Sequence, residues 1–186
     1  MKACALAIMC ASLVLTGCAV SIAPKPDMGV MDKLNLYVGL LIPKAEASRS
    51  AHIGAKTFKT GNALKVGAMN TFQQLFTNVF ELETRQEASA TPDLMLLLQP
   101  RVVSFQSDSN RRATVILGCK LTDLKDRVLI DSTWYGSSSP DEPAHQAGGS
   151  VEAGKGTIEK SCSEAFEAAF KQMAGSVLIS IRTSVR

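Results

Sequence analysis

The chain has 186 residues, 46% of them hydrophobic, with 20 Lys and Arg against 17 Asp and Glu. Near-balanced charge without a clustered basic excess speaks against a nucleic-acid surface. Two histidines set far from the cysteines do not make a zinc spacing.

Lys2 precedes thirteen uncharged, mostly apolar residues, Ala3 to Leu15, and Leu15-Thr16-Gly17-Cys18 closes the run. A helix needs about twenty apolar residues to cross hydrocarbon, so this run is too short to span. A basic start, a short apolar core and small residues before a cut describe a secretory signal. A cysteine directly after Leu-Thr-Gly resembles the lipobox of bacterial lipoproteins. The resemblance implies that residues 1–17 are a signal peptide and that Cys18 is lipidated and becomes the first mature residue. It implies three acyl chains, where two already anchor stably. Ala19-Val20-Ser21 follow, with no Asp beside the cysteine, which by the same resemblance points to the periplasmic leaflet of the outer membrane. Residues 18–31, containing Pro24, Pro26 and Gly29, read as a lipidated tether, and 32–186 as a single periplasmic domain.

Leu34, Leu36, Val38, Leu40 and Ile42 recur at period two and predict a strand ended by Pro43. Residues 43–61 show no periodicity and read as a long loop. Asn62 is an N-cap candidate for a helix whose apolar positions are Leu64, Met69, Phe72, Leu75, Phe76 and Val79. Val79 to Thr84 extends as a short strand. Leu94 to Phe105 is a long strand interrupted by Pro100, which demands a bulge or an edge position. Ala113 to Leu121 follows, with Val115, Leu117, Cys119 and Leu121 on one face. After the turn at Asp123-Leu124-Lys125-Asp126 comes a strand whose inner face is Val128, Ile130 and Trp134. Short turns between these three strands predict an antiparallel meander.

Gly136 to Gly156 is a glycine- and serine-rich loop. From Thr157 to Ile181, Ile158, Cys162, Phe166, Ala169, Phe170, Met173, Val177 and Ile181 form a helical apolar stripe. Two amphipathic helices and one-sided strands predict an α+β fold: a two-layer sandwich, with a mostly antiparallel sheet of four to five strands. Cys119 then points toward the helices and Cys162 toward the sheet. In an oxidising compartment this leaves two readings, a Cys119–Cys162 disulfide or two buried thiols acting as small apolar residues.

Chemistry leaves few traces. His52 and His145 both fall in predicted loops, without a recognisable nucleophile beside them. Gly149, Gly154 and Lys155 imitate a phosphate loop, but Gly156 stands where its hydroxyl residue belongs. Asp123, Asp126 and Asp131 flank a hairpin, where turn formation explains them better than a cation does. No catalytic residue, cofactor site or metal site is expected. The lipobox, the strand Leu36-x-Val38-Gly39-Leu40-Leu41-Ile42, Pro92-Asp93-Leu94 opening a long strand, and a terminal Ala/Phe helix together resemble small bacterial outer-membrane lipoproteins. The arrangement is similar to YajG-type lipoproteins and to accessory lipoproteins of envelope transport and assembly. That resemblance implies a non-catalytic accessory or scaffold role with an envelope protein partner. The alternative is a small-ligand-binding lipoprotein or envelope enzyme using the loops near His52 and His145.

Overall fold

The computed structural model describes residues 19–30, 32–109, 112–139 and 157–184. In chain order the elements are β1 (Ala19–Val20), β2 (Leu34–Leu41), α1 (Lys44–Ala47), β3 (Ala51–Ile53), β4 (Lys56–Phe58), α2 (Thr60–Leu75), β5 (Phe76–Leu82), α3 (Arg85–Ala90), β6 (Leu96–Ser107), β7 (Ala113–Asp123), β8 (Val128–Ser137) and α4 (Thr157–Ser184). The fold is α+β. A five-stranded sheet has the order β5-β2-β6-β7-β8, and a small sheet has the order β1-β4-β3.

The β6-β7-β8 meander is antiparallel, but β2 pairs in parallel with both β5 and β6, so the main sheet is mixed. The parallel pairs follow from the crossover: α2 returns the chain so that β5 runs alongside β2 in the same direction. Being central, β2 is buried on both faces over Val38–Leu41, where alternation alone had suggested one buried face.

α2 and α4 cover one face of the sheet. From α4, Cys162, Ala165, Phe166, Ala169, Phe170, Met173 and Val177 are fully buried against Val115, Leu117, Cys119 and Leu121 of β7 in a shared cluster. A chain of rings, Phe58–Phe105–Phe166–Phe170, has successive centroids 5.8, 5.8 and 6.4 Å apart. On the opposite face Leu41, Leu82, Leu94 and Leu97 gather under Ala88 of α3.

Several boundaries differ from the sequence reading. Residues 43–61 are not one loop but α1 and the β3–β4 hairpin, and Phe58 within them is fully buried. α2 starts at Thr60, so Asn62 lies inside it and donates its side-chain amide to Ser21 Oγ (3.0 Å). Phe76 and Val79 belong to β5, because the chain turns extended immediately at Phe76. Both devices offered for Pro100 occur in β6. Pairing with β2 ends at Leu98, leaving Pro100 without a β2 partner, and Val103 is bulged between Val102 and Ser104. In β8 a register shift at Leu129 turns Val128 off the inner face, and Val128 is 48% exposed.

Candidate functional site

The first candidate region is the N-terminal segment, read from sequence as a tether. Over residues 19–30 it is docked on the domain. β1 adds in parallel to β4, with Ala19 opposite Thr57 and Val20 opposite Phe58. Beyond it Ile22, Pro24 and Pro26 point inward while Ser21, Ala23, Lys25 and Asp27 point out. Within the strap the Gly29 N–H donates to Asp27 Oδ1 (2.8 Å), but Pro24 and Pro26 lack N–H groups and the carbonyls there need outside donors. Side-chain amides of α2 serve them: Asn70 Nδ2 donates to the Pro24 carbonyl (2.8 Å) and Gln74 Nε2 to that of Pro26 (2.9 Å). Gln74 Oε1 accepts from the Met28 N–H (3.2 Å), and Glu167 of α4 accepts from that of Lys25 (3.1 Å). The period-two burial of Ile22-x-Pro24-x-Pro26 was the signal available in the sequence, masked by the proline content that suggests a linker.

Cys18 lies outside the described residues, one peptide bond before β1. β1 begins at Ala19, opposite Thr57, one residue past Lys56 at the β3–β4 turn. His52 of β3 is exposed, with Nδ1 3.1 Å from Thr57 Oγ1. Lys56 pairs with Glu159 of α4 (2.5 Å), and that hydrogen bond holds the Glu159 carboxyl below its ordinary range. His145 lies outside the described residues, as do Gly149, Gly154 and Lys155.

The second region surrounds the β7–β8 turn, at the far end of the sheet. A cleft of about 460 Å³ is lined by Met95, Asp123, Leu124, Lys125 and Arg127. A smaller one beside it reaches Leu36, Leu96, Leu129 and Ile181. His52 lines neither. Asp123 is consumed by the turn. Its Oδ1 accepts the N–H groups of Lys125 and Arg127 (both 2.9 Å) and its Oδ2 accepts Arg127 Nε (3.1 Å). The Arg127 backbone N–H is the main reason its carboxyl titrates below the ordinary value. Asp126 occupies the left-handed region (φ 62°) and pairs with Arg85, while Asp131 pairs with Arg101 (3.4 Å). Among the described residues no three His, Cys, Asp or Glu side chains converge on a metal position.

Cys119 and Cys162 are both buried, as inward-facing positions predict, but they are free thiols. The geometry explains why they do not meet. Trp134, opposite Leu117, donates its indole N–H to Ser176 (2.9 Å), whereas a Cβ added at Gly136 would stand 2.6 Å from the Ala169 nitrogen. α4 therefore runs antiparallel to β8. Cys119, beyond Leu117, lies toward the Ser176 end, and Cys162 is fourteen residues earlier on the helix, about 21 Å at 1.5 Å per residue. A disulfide needs Cα atoms within about 7 Å. Burial pushes each thiol up to about 12; next in weight, a Gln99 backbone hydrogen bond lowers Cys119, while the Glu159 charge raises Cys162 further.

The sequence matches no family profile and no curated protein. Among solved structures it is similar to a hypothetical protein from Chlamydia trachomatis, at 10% identity and a TM-score of 0.50, over 80% of this chain and 99% of that one. A PelC dodecamer from Paraburkholderia phytofirmans aligns at 10% identity and a TM-score of 0.46, over 75% of this chain and 93% of that one. An uncharacterized protein aligns at 11% identity and 0.45, over 87% and 97%. At these identities the likeness concerns the fold alone.

Proposed function

We propose that the chain is a lipoprotein anchored through Cys18 in the periplasmic leaflet of the outer membrane. There it serves as a non-catalytic accessory or scaffold component of an envelope assembly or transport complex. The observation that carries the reading is Leu15-Thr16-Gly17-Cys18 at the end of a basic-started, thirteen-residue uncharged run. Two surface features support a scaffold role. Among the described residues β8 pairs only with β7, which leaves one row of backbone groups along its ten residues for a further strand. Across the uncovered outer face, Val103 and Tyr135 are half-exposed.

Cys18→Ser followed by cell fractionation tests the anchor. The wild type is expected in outer membranes after high-salt washing and the variant in the soluble periplasm. A variant that still sediments quantitatively overturns the lipobox reading. Crosslinking in intact envelopes, followed by capture of the lipidated protein, tests the scaffold role. A discrete envelope protein crosslinked from β8 positions such as Thr133 is expected. Loss of an envelope phenotype's rescue on His52→Ala or His145→Ala, at normal level and location, overturns it.

A further inference from the structure

The docked strap removes the slack that a tether would provide. A residue spans at most about 3.6 Å of extended chain, and only one peptide bond separates Cys18 from the paired Ala19. Resting on the lipidation of Cys18, this places the attachment point of the acyl chains within a few ångströms of where β1 begins. That point has fixed neighbours. Ala19 is opposite Thr57, the residue after Lys56, and Lys56 belongs to the tip formed by Ile53, Gly54, Ala55 and Lys56. Gly54 and Ala55 are exposed, and His52 is exposed one ladder pair behind them. Phe58 packs on Phe105, which ties the hairpin to one end of β6. The β7–β8 turn adjoins Leu96 at the other end, because Leu96 is opposite Asp123. Nine residues of strand separate Leu96 from Phe105, about 30 Å at 3.3 Å each.

We infer that the β3–β4 hairpin is the face apposed to the phospholipid surface, and that the docked strap holds the domain in one orientation with the Leu124 turn and its clefts directed away from the bilayer. The occupant of this face is the bilayer carrying the protein's own Cys18 acyl chains. Ala55 and the small Gly54 let the tip approach head groups closely, and His52 presents a polar ring to phosphates. The opposite end, with Met95 and Leu124 half-exposed, is then the part free to meet a partner in the periplasm.

The test uses full-length protein, lipidated in an expressing bacterium and reconstituted in phosphatidylethanolamine–phosphatidylglycerol vesicles containing a head-group nitroxide lipid. A fluorophore is attached to Ala55→Cys, to His52→Cys as a second reporter on the same hairpin, or to Leu124→Cys. The buried Cys119 and Cys162 do not compete for label. Most of the fluorescence should be lost at residues 55 and 52 and none at 124. Inserting about twenty Gly/Ser residues between Cys18 and Ala19, with a reach of about 25 Å, should abolish that difference. Protein that floats with vesicles but is quenched equally at both ends, or more at 124, overturns the orientation and leaves the lipoprotein reading standing. A difference that survives the insertion also overturns it, since the hairpin and not the short attachment would then set the orientation. Protein that does not float, with an unmodified Cys18 by mass spectrometry, overturns the lipoprotein reading and the orientation with it.

Discussion

Phe170 of α4 lies over Gly67 of α2, where an added Cβ would overlap the ring at Cε2. Glycine here serves close approach, letting the two helices share a fully buried ring. Phe170→Ala should cost about 3–5 kcal/mol, read as a lowered urea midpoint, because it removes a fully buried ring and leaves a cavity. An unchanged midpoint would mean that the stripe is not core. Asp123 makes a pH-dependent contribution. Its folded pKa lies below the ordinary 3.8, chiefly through the Arg127 N–H, so its stabilisation is present above about 4 and lost as pH falls through the folded value. The midpoint difference between wild type and Asp123→Ala should therefore shrink on acidification. The cysteines act at the other extreme. Both thiols are raised from 9.0 to about 12, so their contribution is complete below about 9 and is lost as pH rises toward 12. Both should resist alkylation near neutral pH in the folded protein and react in urea. Linked peptides in the non-reduced native protein would show that the pair meets after all.

At the scale of elements, β6 carries an edge that its partner strand does not cover. Past Leu98 it has no β2 neighbour, and α1 fills the place: Glu46 Oε1 accepts the Val102 N–H (2.7 Å) while Arg49 donates to the Val102 carbonyl. Glu46→Ala should cost about 1–3 kcal/mol by orphaning that N–H, and amide exchange at Val102 should accelerate more than at Leu98. α1 was not legible in residues 43–61, since a four-residue helix has no periodicity to show. α3 left a trace that the sequence reading missed. Thr84-Arg85-Gln86-Glu87 has capping-box spacing, and Thr84 Oγ1 accepts the Glu87 N–H (3.2 Å) while Glu87 accepts that of Glu83 (2.8 Å). The long helix α4 and the meander were legible because their apolar residues repeat over many turns and pleats.

For the molecule as a whole, the N-terminal strap is part of the fold. Ile22 is 3% exposed within the main core cluster, so Ile22→Ala should destabilise by about 2–5 kcal/mol, measured by thermal or urea denaturation. A free tether would tolerate the change. The strap also ties the small sheet to both long helices, since it adds to β4, lies along α2 and reaches Glu167 of α4.

The alternating and helical periodicities of the chain by themselves determined the α+β class, the antiparallel meander and the buried stripe of α4, because each depends on local spacing that any partner would satisfy. Tertiary structure decided the rest. Placing β2 between β5 and β6 made the sheet mixed, and only that order buries both faces of Val38–Leu41. The direction of α4 along β8 separated Cys119 from Cys162, which inward-facing parity could not reveal, since parity says which face a side chain takes and nothing of its height along the helix. The amides of α2 turned a proline-bearing linker into a docked strap. Its binding groups lie more than forty residues away in the chain, beyond any local pattern.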